Sequence, residues 1–315
     1  MKARGLALQA ALAAALALLA WWLYSNAAAN LTARGIASGF AFLRREAGFE
    51  IGETGLLAYS AADSYLRALA VGLANTFRVA ALGIVLATAL GAAIGLARLA
   101  PNWLLARLAS AYVETLRNIP LLVQLFFWYA LITESLPAPA DALQPLPGLF
   151  LSNRGIFFPL PGSVPQLSGF NFAGGAGLSP EFAALLAGLA TYTAAFIAEI
   201  VRAGILSVSR GQRDAARSLG LERRAELRHV VLPQALRLMV PPLTSQYLNL
   251  AKNSSLAVAI GYPDLVSIAN TTMNQTGQAI EGVAVIMAVF LTISLSISAF
   301  MNWYNRRAAL RGMAP

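Results

Sequence analysis

The side chains in this sequence that could do chemistry are few, and most stand in apolar surroundings where polarity is costly. Asn118 and Gln124 share one sector of a helical wheel with Glu114, Arg117 and Trp128, in a segment over 106–136 interrupted by Pro120. Glu199 shares a face with Tyr192, Ala195 and Arg202 in TYTAAFIAEIVRAGI. Gln246, Asn249 and Asn253 form a third polar face, continued by Lys252, Ser254 and Ser255, in a segment over 234–255 that contains Pro241 and Pro242. Polar stripes inside apolar helices must face protein or water rather than lipid. The chemistry open to them is binding and passage, because amides donate and accept without burying a net charge. Glu114 with Arg117, and Glu199 with Arg202, are spaced i, i+3; for these two couples an ion pair at the edge of a span is the expected arrangement.

Catalysis finds no support beside them. The chain has no HExxH, no Gly-x-Ser-x-Gly, no carboxylate-rich metal cluster and no G-x4-GK[ST] phosphate loop. It has no Cys and a single His, which excludes disulfides, thiolate metal sites and iron–sulfur clusters, and a bis-histidine haem within one chain.

The elements that position these residues follow from composition. Of 315 residues, 58% are hydrophobic and 12% charged, with the apolar residues gathered in runs, as in an integral membrane protein. The net charge of +9 comes from Arg and Lys that flank apolar spans, without the interleaved aromatics of a nucleic-acid surface.

Lys2 and Arg4 precede an apolar run over 6–23, long enough to cross a bilayer and longer than a signal-peptide core, with Trp21, Trp22 and Tyr24 suited to an interfacial belt. Residues 1–25 are therefore predicted as an N-terminal anchor helix and 26–65 as an external, periplasmic connection. Further spans are predicted over 66–97, 106–136, 181–201, 234–255 and 282–304, about six with the anchor. Gly91 and Gly95, in small-xxx-small spacing, predict close helix packing. The window 137–180 holds eight prolines, many glycines and one basic residue, Arg154, and reads as an external insert without regular structure. Residues 256–281 read as short amphipathic pieces at the outer side, and 306–315 as a cytoplasmic tail. Sorting Lys and Arg by these spans gives sixteen inside, six outside and Arg78 within a span, which predicts cytoplasmic termini.

Between the fourth and fifth spans lies SRGQRDAARSLGLERRAELRHVVLP, from Ser209 to Pro233; with its edges at 202–236 it is the predicted cytoplasmic loop. From Arg202 to Arg237 there are eight Arg and no Lys. Ser209 and Gln212 have capping-box spacing, Gly220 stands where a left-handed C-cap wants a residue without a Cβ, and 221–232 resumes helical spacing up to Pro233. Two short helices joined by a glycine make a docking element.

Asp214, Ala215, Ala216, Gly220, Val230, Leu232 and Pro233 reproduce the spacing of the EAA loop, EAA-x3-G-x9-I-x-LP, with Asp for Glu and Val for Ile. The chain thereby resembles the permease subunits of ATP-binding-cassette (ABC) importers. YVETLRNIPLLVQLFF, AEIVRAGILSVSRGQ, VLPQALRLMVPPLTSQYLNLAKNSSL and AIGYPDL are similar to the polar-amino-acid branch. The first span, the IASGF…REAGFEIGE segment and the long insert resemble a permease of the general L-amino-acid or glutamate/glutamine/aspartate/asparagine importers.

The resemblance implies an all-α integral membrane protein of the bacterial inner membrane: a type I ABC importer transmembrane domain over 66–305 with an extra N-terminal helix. It implies a non-enzymatic permease whose partners are a cytoplasmic ATPase dimer, a second homologous permease forming a heterodimer with it, and a periplasmic amino-acid-binding protein. The chain itself takes no cofactor, ATP and magnesium belonging to the ATPase. In the docking element, Ala215 and Ala216 would allow close approach of the ATPase, Gly220 the turn and Asp214 a charged contact, with Leu232 and Pro233 completing the motif. Asn118, Gln124, Glu199, Gln246, Asn249 and Asn253 are the candidates for the substrate path of an alternating-access cycle. An ion-coupled secondary amino-acid transporter is the competing class; no internal repeat supports it, and it has no use for the EAA element.

Overall fold

The computed structural model describes residues 2–33, 35 and 38–309; Arg34, Arg311 and the rest of the tail over 310–315 lie outside the described residues. Helix α1 (Lys2–Ala33) is followed by a 3-10 turn at Phe40–Arg44 and then by α2 (Tyr65–Ala97), whose N-terminus is capped by the Ser64 hydroxyl accepting from the Arg67 N–H. The segment over 106–136 becomes two helices, α3 (Trp103–Asn118) and α4 (Leu121–Ser135), set at 107° to one another. Pro120 forces the break, since it supplies no N–H to the preceding turn and excludes helical backbone before it.

The insert is not irregular as its prolines predicted. It forms an antiparallel sheet of β1 (Leu143–Leu146), β2 (Leu149–Ser152), β3 (Gly155–Phe158) and, after a hairpin of β4 (Gln166–Ser168) and β5 (Asn171–Ala173), β6 (Ala176–Leu178), in the order β1-β2-β3-β6. The prolines are compatible with this because Pro145 sits on the edge strand β1, Pro139 opens a 3-10 turn, Pro180 opens the following helix and the others fall in turns and connections. Phe172 stacks on Phe150 at 4.6 Å and lies 5.0 Å from Phe157, so the hairpin closes over the sheet. The chain is mostly helical, as the sequence led us to expect, and the insert adds a small β lobe to it.

Helix α5 (Pro180–Leu206) starts at the lobe, with Pro180 in its first turn and the Ser179 hydroxyl accepting from Phe182 N–H, and runs through the centre of the bundle. The loop helices α6 (Arg210–Ser218) and α7 (Arg223–Glu226) lead through a π turn at Leu227–Val231 into α8 (Leu232–Asn253), then a 3-10 segment, α9 (Leu265–Thr276) and α10 (Ala279–Ala309). The bundle thus has a lobe end and a loop end.

Among the described residues, four helices are long and apolar enough to cross a membrane: α1, α2, α5 and α10; the bent α3–α4 pair makes a fifth if it counts as one span. The expected span over 234–255 is present as α8, 22 residues long, but Arg237, Gln246, Asn249, Lys252 and Asn253 keep it below that apolar threshold. It is sheltered by neighbours instead, with Ala235, Met239, Val240, Leu250 and Ala251 buried.

The expected glycine packing is present between α2 and α5. A Cβ on Gly91 would fall 2.6 Å from the Cβ of Ile197, and one on Gly95 2.7 Å from the Ala198 carbonyl oxygen. Three apolar clusters stack along the bundle: Phe42, Tyr65, Leu69 and Leu265 near its lobe end, Leu125, Phe182, Leu185 and Tyr262 below them, and Ile197, Val201, Val231 and Met239 at the loop end.

The turn between α8 and α9, Gly261 to Asp264, is pinned to α2. Asn75 Nδ2 donates to the carbonyls of Pro263 and Glu53 at 3.0 and 2.8 Å, and Leu265 N–H donates to Thr76 Oγ1 at 3.0 Å. Asp264 caps α9 by accepting from Ser267 N–H at 2.8 Å, but it is 1% exposed and its second carboxylate oxygen has no hydrogen-bond partner among the described residues. Burial pushes its carboxyl up to about 6, against the lowering effect of backbone hydrogen bonds. The folded protein then holds the proton more tightly than the unfolded chain, so this group's contribution to stability is greatest below about pH 4 and is lost as pH rises through about 6. By neutral pH the cost is about 3 kcal/mol. Asp264→Asn keeps the capping oxygen and removes the buried charge. Its Tm is expected to exceed that of the parent at pH 7–8 and to match it near pH 4; a lower Tm at pH 8 contradicts the assignment.

Candidate functional site

Two sites emerge at and near the loop end. In the first, α6 stops at Ser218 and the chain reverses through Gly220, whose φ of +77° is the left-handed conformation that suits glycine. Gly220 N–H donates to Arg217 O at 2.9 Å and Leu221 N–H to Ala216 O at 3.1 Å, the paired bonds of a Schellman motif. The helix start differs from the capping box expected: Ser209 is the N-cap residue, but its side chain makes no capping bond, and Gln212 N–H donates to the Ser209 carbonyl instead.

The α6–α7 corner is tied by Arg217 Nε donating to Glu226 Oε2 at 2.9 Å, with Glu226 buried and Arg217 largely exposed. That bond raises the Arg217 pKa further. Arg213 Nη2 donates to the Ile205 carbonyl, which fastens α6 to the end of α5. Ala216 is buried against this corner, whereas Asp214, Ala215, Gly220, Leu232 and Pro233 are exposed and available to a partner. Pro233 lies in the first turn of α8, but α7, the π turn and α8 run on without a break, so the expected second helix is the lead-in to α8. The segment between the end of α5 and the start of α8 is 207–231, narrower than 202–236.

The second site is a cleft of about 480 Å³ between α5, α8 and the end of α3, whose polar lining is Arg117, Glu199, Ser207 and Gln246, with Phe196 and Gly204 beside them. Arg117 does not pair with Glu114. Its guanidinium lies 5.0 Å from the centroid of the Phe196 ring, and it pairs with no carboxylate among the described residues. Glu199 and Arg202 do pair, doubly: Arg202 Nη2 donates to Oε1 at 2.6 Å and Nε to Oε2 at 3.1 Å. Arg98, at the C-terminal cap of α2, also donates to Glu199 Oε2 and reaches Ser110 Oγ on α3 at 3.3 Å. Glu199 therefore holds three helices together while lining the cleft.

Of the six path candidates, the cleft brings together Glu199 and Gln246. Gln124 is buried outside it; its Nε2 donates to the carbonyls of Leu116 and Ile119 at 2.9 and 3.0 Å, closing the open end of α3 across the Pro120 break. Asn118 and Asn249 are exposed and Asn253 half-buried, all off the cleft lining. Arg117 and Ser207 are the polar lining residues that the sequence did not single out for the path. The polar stripe of α3 had marked Arg117, but its meeting with Phe196 depends on tertiary packing.

Residues 83–310 match the family described as binding-protein-dependent transport system inner membrane component. The chain is 47% identical to the putative amino-acid ABC transporter permease protein YhdX of Escherichia coli (strain K12), covering 92% of this chain and 90% of that one. It is 42% identical to the general L-amino acid transport system permease protein AapQ of Rhizobium johnstonii, over 92% and 88% of the two chains. Among solved structures, an amino acid ABC transporter crystallised with histidines matches at a TM-score of 0.57 and 28% identity, covering 77% of this chain and 95% of that chain.

Proposed function

Because this chain belongs to the binding-protein-dependent transport system inner membrane component family, we propose that it transports amino acids as one permease of an ABC importer whose ATPase docks on the 207–231 loop. The single observation that carries the mechanism is the glycine-closed α6–α7 corner. It presents Asp214, Ala215 and Gly220 outward, with Leu232 and Pro233 exposed at the adjoining start of α8, while its own fastening to α5 through Arg213 leads directly to the cleft. A partner that closes on the loop thereby moves the end of the helix that carries Glu199.

In the cleft, Arg117 offers a cation to a substrate carboxylate, while Gln246 and Ser207 supply neutral donors and acceptors for the rest of an amino acid. Asn118 adjoins Arg117 and Asn249 lies one helical turn from Gln246; we assign these, with Asn253, to a wall completed by a second, homologous permease. The loop end then faces the cytoplasm and the β lobe the external binding protein. ATP and magnesium act in the partner ATPase, and this chain's share is to bind, orient and release.

Proteoliposomes holding this chain with its second permease and ATPase, supplied with binding protein, are expected to take up amino acid only with internal ATP. Uptake should persist when ion gradients are dissipated. Uptake without the ATPase, or its collapse with the ion gradient, refutes the proposal in favour of ion coupling.

A further inference from the structure

Helix α1 is apolar on every side and exposed from Ala7 to Asn26, so nothing in its own periodicity says which face packs. Its tether does. Only residues 34–38 separate Ala33 from Gly39, a reach of at most about 20 Å. Gly39 is held at the lobe end, where its N–H donates to Glu281 Oε1 at 2.6 Å at the start of α10. The next turn is anchored by Phe42, 2% exposed, against Tyr65 at the start of α2 with ring centroids 6.1 Å apart. The C-terminal end of α1 is therefore leashed to the end of the bundle where α2 and α10 both begin, with α9 between them.

From that point an apolar groove runs down between α2 and α10. Its upper part, about 180 Å³, is lined by Leu66, Leu69, Ala70, Leu73, Val285 and Val289. The lower part, about 570 Å³, shares Leu73 and Val289 and continues along Ala80, Ala81, Ala288 and Ser296. From Leu66 to Ile84 this is about 27 Å of helix, close to the thickness of a bilayer core. Small residues on its floor let another backbone approach closely, and α1 carries matching small residues at Ala7, Ala11 and Ala15.

We propose that in the membrane α1 folds back antiparallel to α2 and α10 and packs in this groove of its own chain, making the anchor an integral part of the bundle. If Asn30 and Tyr65 mark the same interface, the equal rise of the two helices sets Ala14 level with Ala81.

The chain lacks cysteine, so disulfide trapping tests the placement in the full-length protein within its native membrane. Cysteine is introduced at each of Ala11, Leu12, Ala13 and Ala14, one full turn, in combination with Ala81→Cys or, on α10, Ser296→Cys. Pairing with Leu86→Cys, on a face of α2 outside the groove, is the control. The expected result is an intramolecular cross-link for one or two positions of the turn with each groove cysteine, and none with the control. Two results overturn the proposal: no groove cross-link in chains that insert and assemble normally, or a link only between differently tagged single-cysteine chains. The latter gives the groove to a neighbouring subunit.

Discussion

Gly220→Pro is expected to abolish coupled uptake while leaving the helical bundle folded. Gly220 holds φ at +77° and donates the N–H that closes α6 on Arg217 O. Proline fixes φ near −65° and has no N–H, so it loses both features, at about 3 kcal/mol or more. That corresponds to roughly a hundredfold fall in the population of the native corner. The loss stays local, because Gly220 is exposed and nothing lies within 4 Å of a Cβ built on it. Gly220→Asn separates conformation from composition: asparagine tolerates the left-handed region and retains the N–H, so uptake should largely survive. The measurement is ATP-driven uptake beside ATP hydrolysis in the reconstituted complex. Hydrolysis that continues without uptake in the proline variant is the expected signature, and wild-type uptake there would remove the corner from the coupling path.

That corner was legible in the sequence because its features are local. A glycine after a breaker-free helical run implies a left-handed cap whatever surrounds it, and Gly91 and Gly95 declared a close helix contact by spacing alone. What the sequence did not show also has a shared cause. Gln124 read as a cavity wall because a helical wheel cannot show that Pro120 leaves α3's last carbonyls open beside it, where a buried amide does more by capping them. Glu114 and Arg117 had pairing distance in sequence, yet Arg117 found Phe196 of α5, a partner that only packing supplies. The β lobe was hidden for the opposite reason: Pro145 and its neighbours suppress strand propensity, but on an edge strand the missing N–H costs no ladder bond. Likewise α8 buries an apolar face, with Ala235, Met239, Leu250 and Ala251, while its polar residues stay exposed or half-buried, so hydropathy underrates it while periodicity finds it.

Glu199→Gln is expected to damage both the fold and transport, and a second substitution separates the two. The carboxylate stands between Arg98 and Arg202, with side-chain exposures of 12% and 32%, and makes hydrogen bonds to both. Neutralising it leaves two guanidinium groups close together without an anion in a partly desolvated place, at a cost on the order of 2 kcal/mol, below that of a fully buried pair because all three groups keep some solvent. A drop in Tm follows. Glu199→Gln combined with Arg202→Gln restores the charge balance with Arg98 as the one remaining cation, and its Tm should recover most of the loss. If the carboxylate serves only to join α2, α3 and α5, uptake returns with stability. If it also shapes the cleft with Arg117 and Gln246, uptake by the double variant stays low at normal Tm, and the apparent affinity for the amino acid weakens. The second outcome is expected, because Glu199 sets the field opposite the cation that would receive the substrate carboxylate. Full recovery of uptake would reduce Glu199 to a strut.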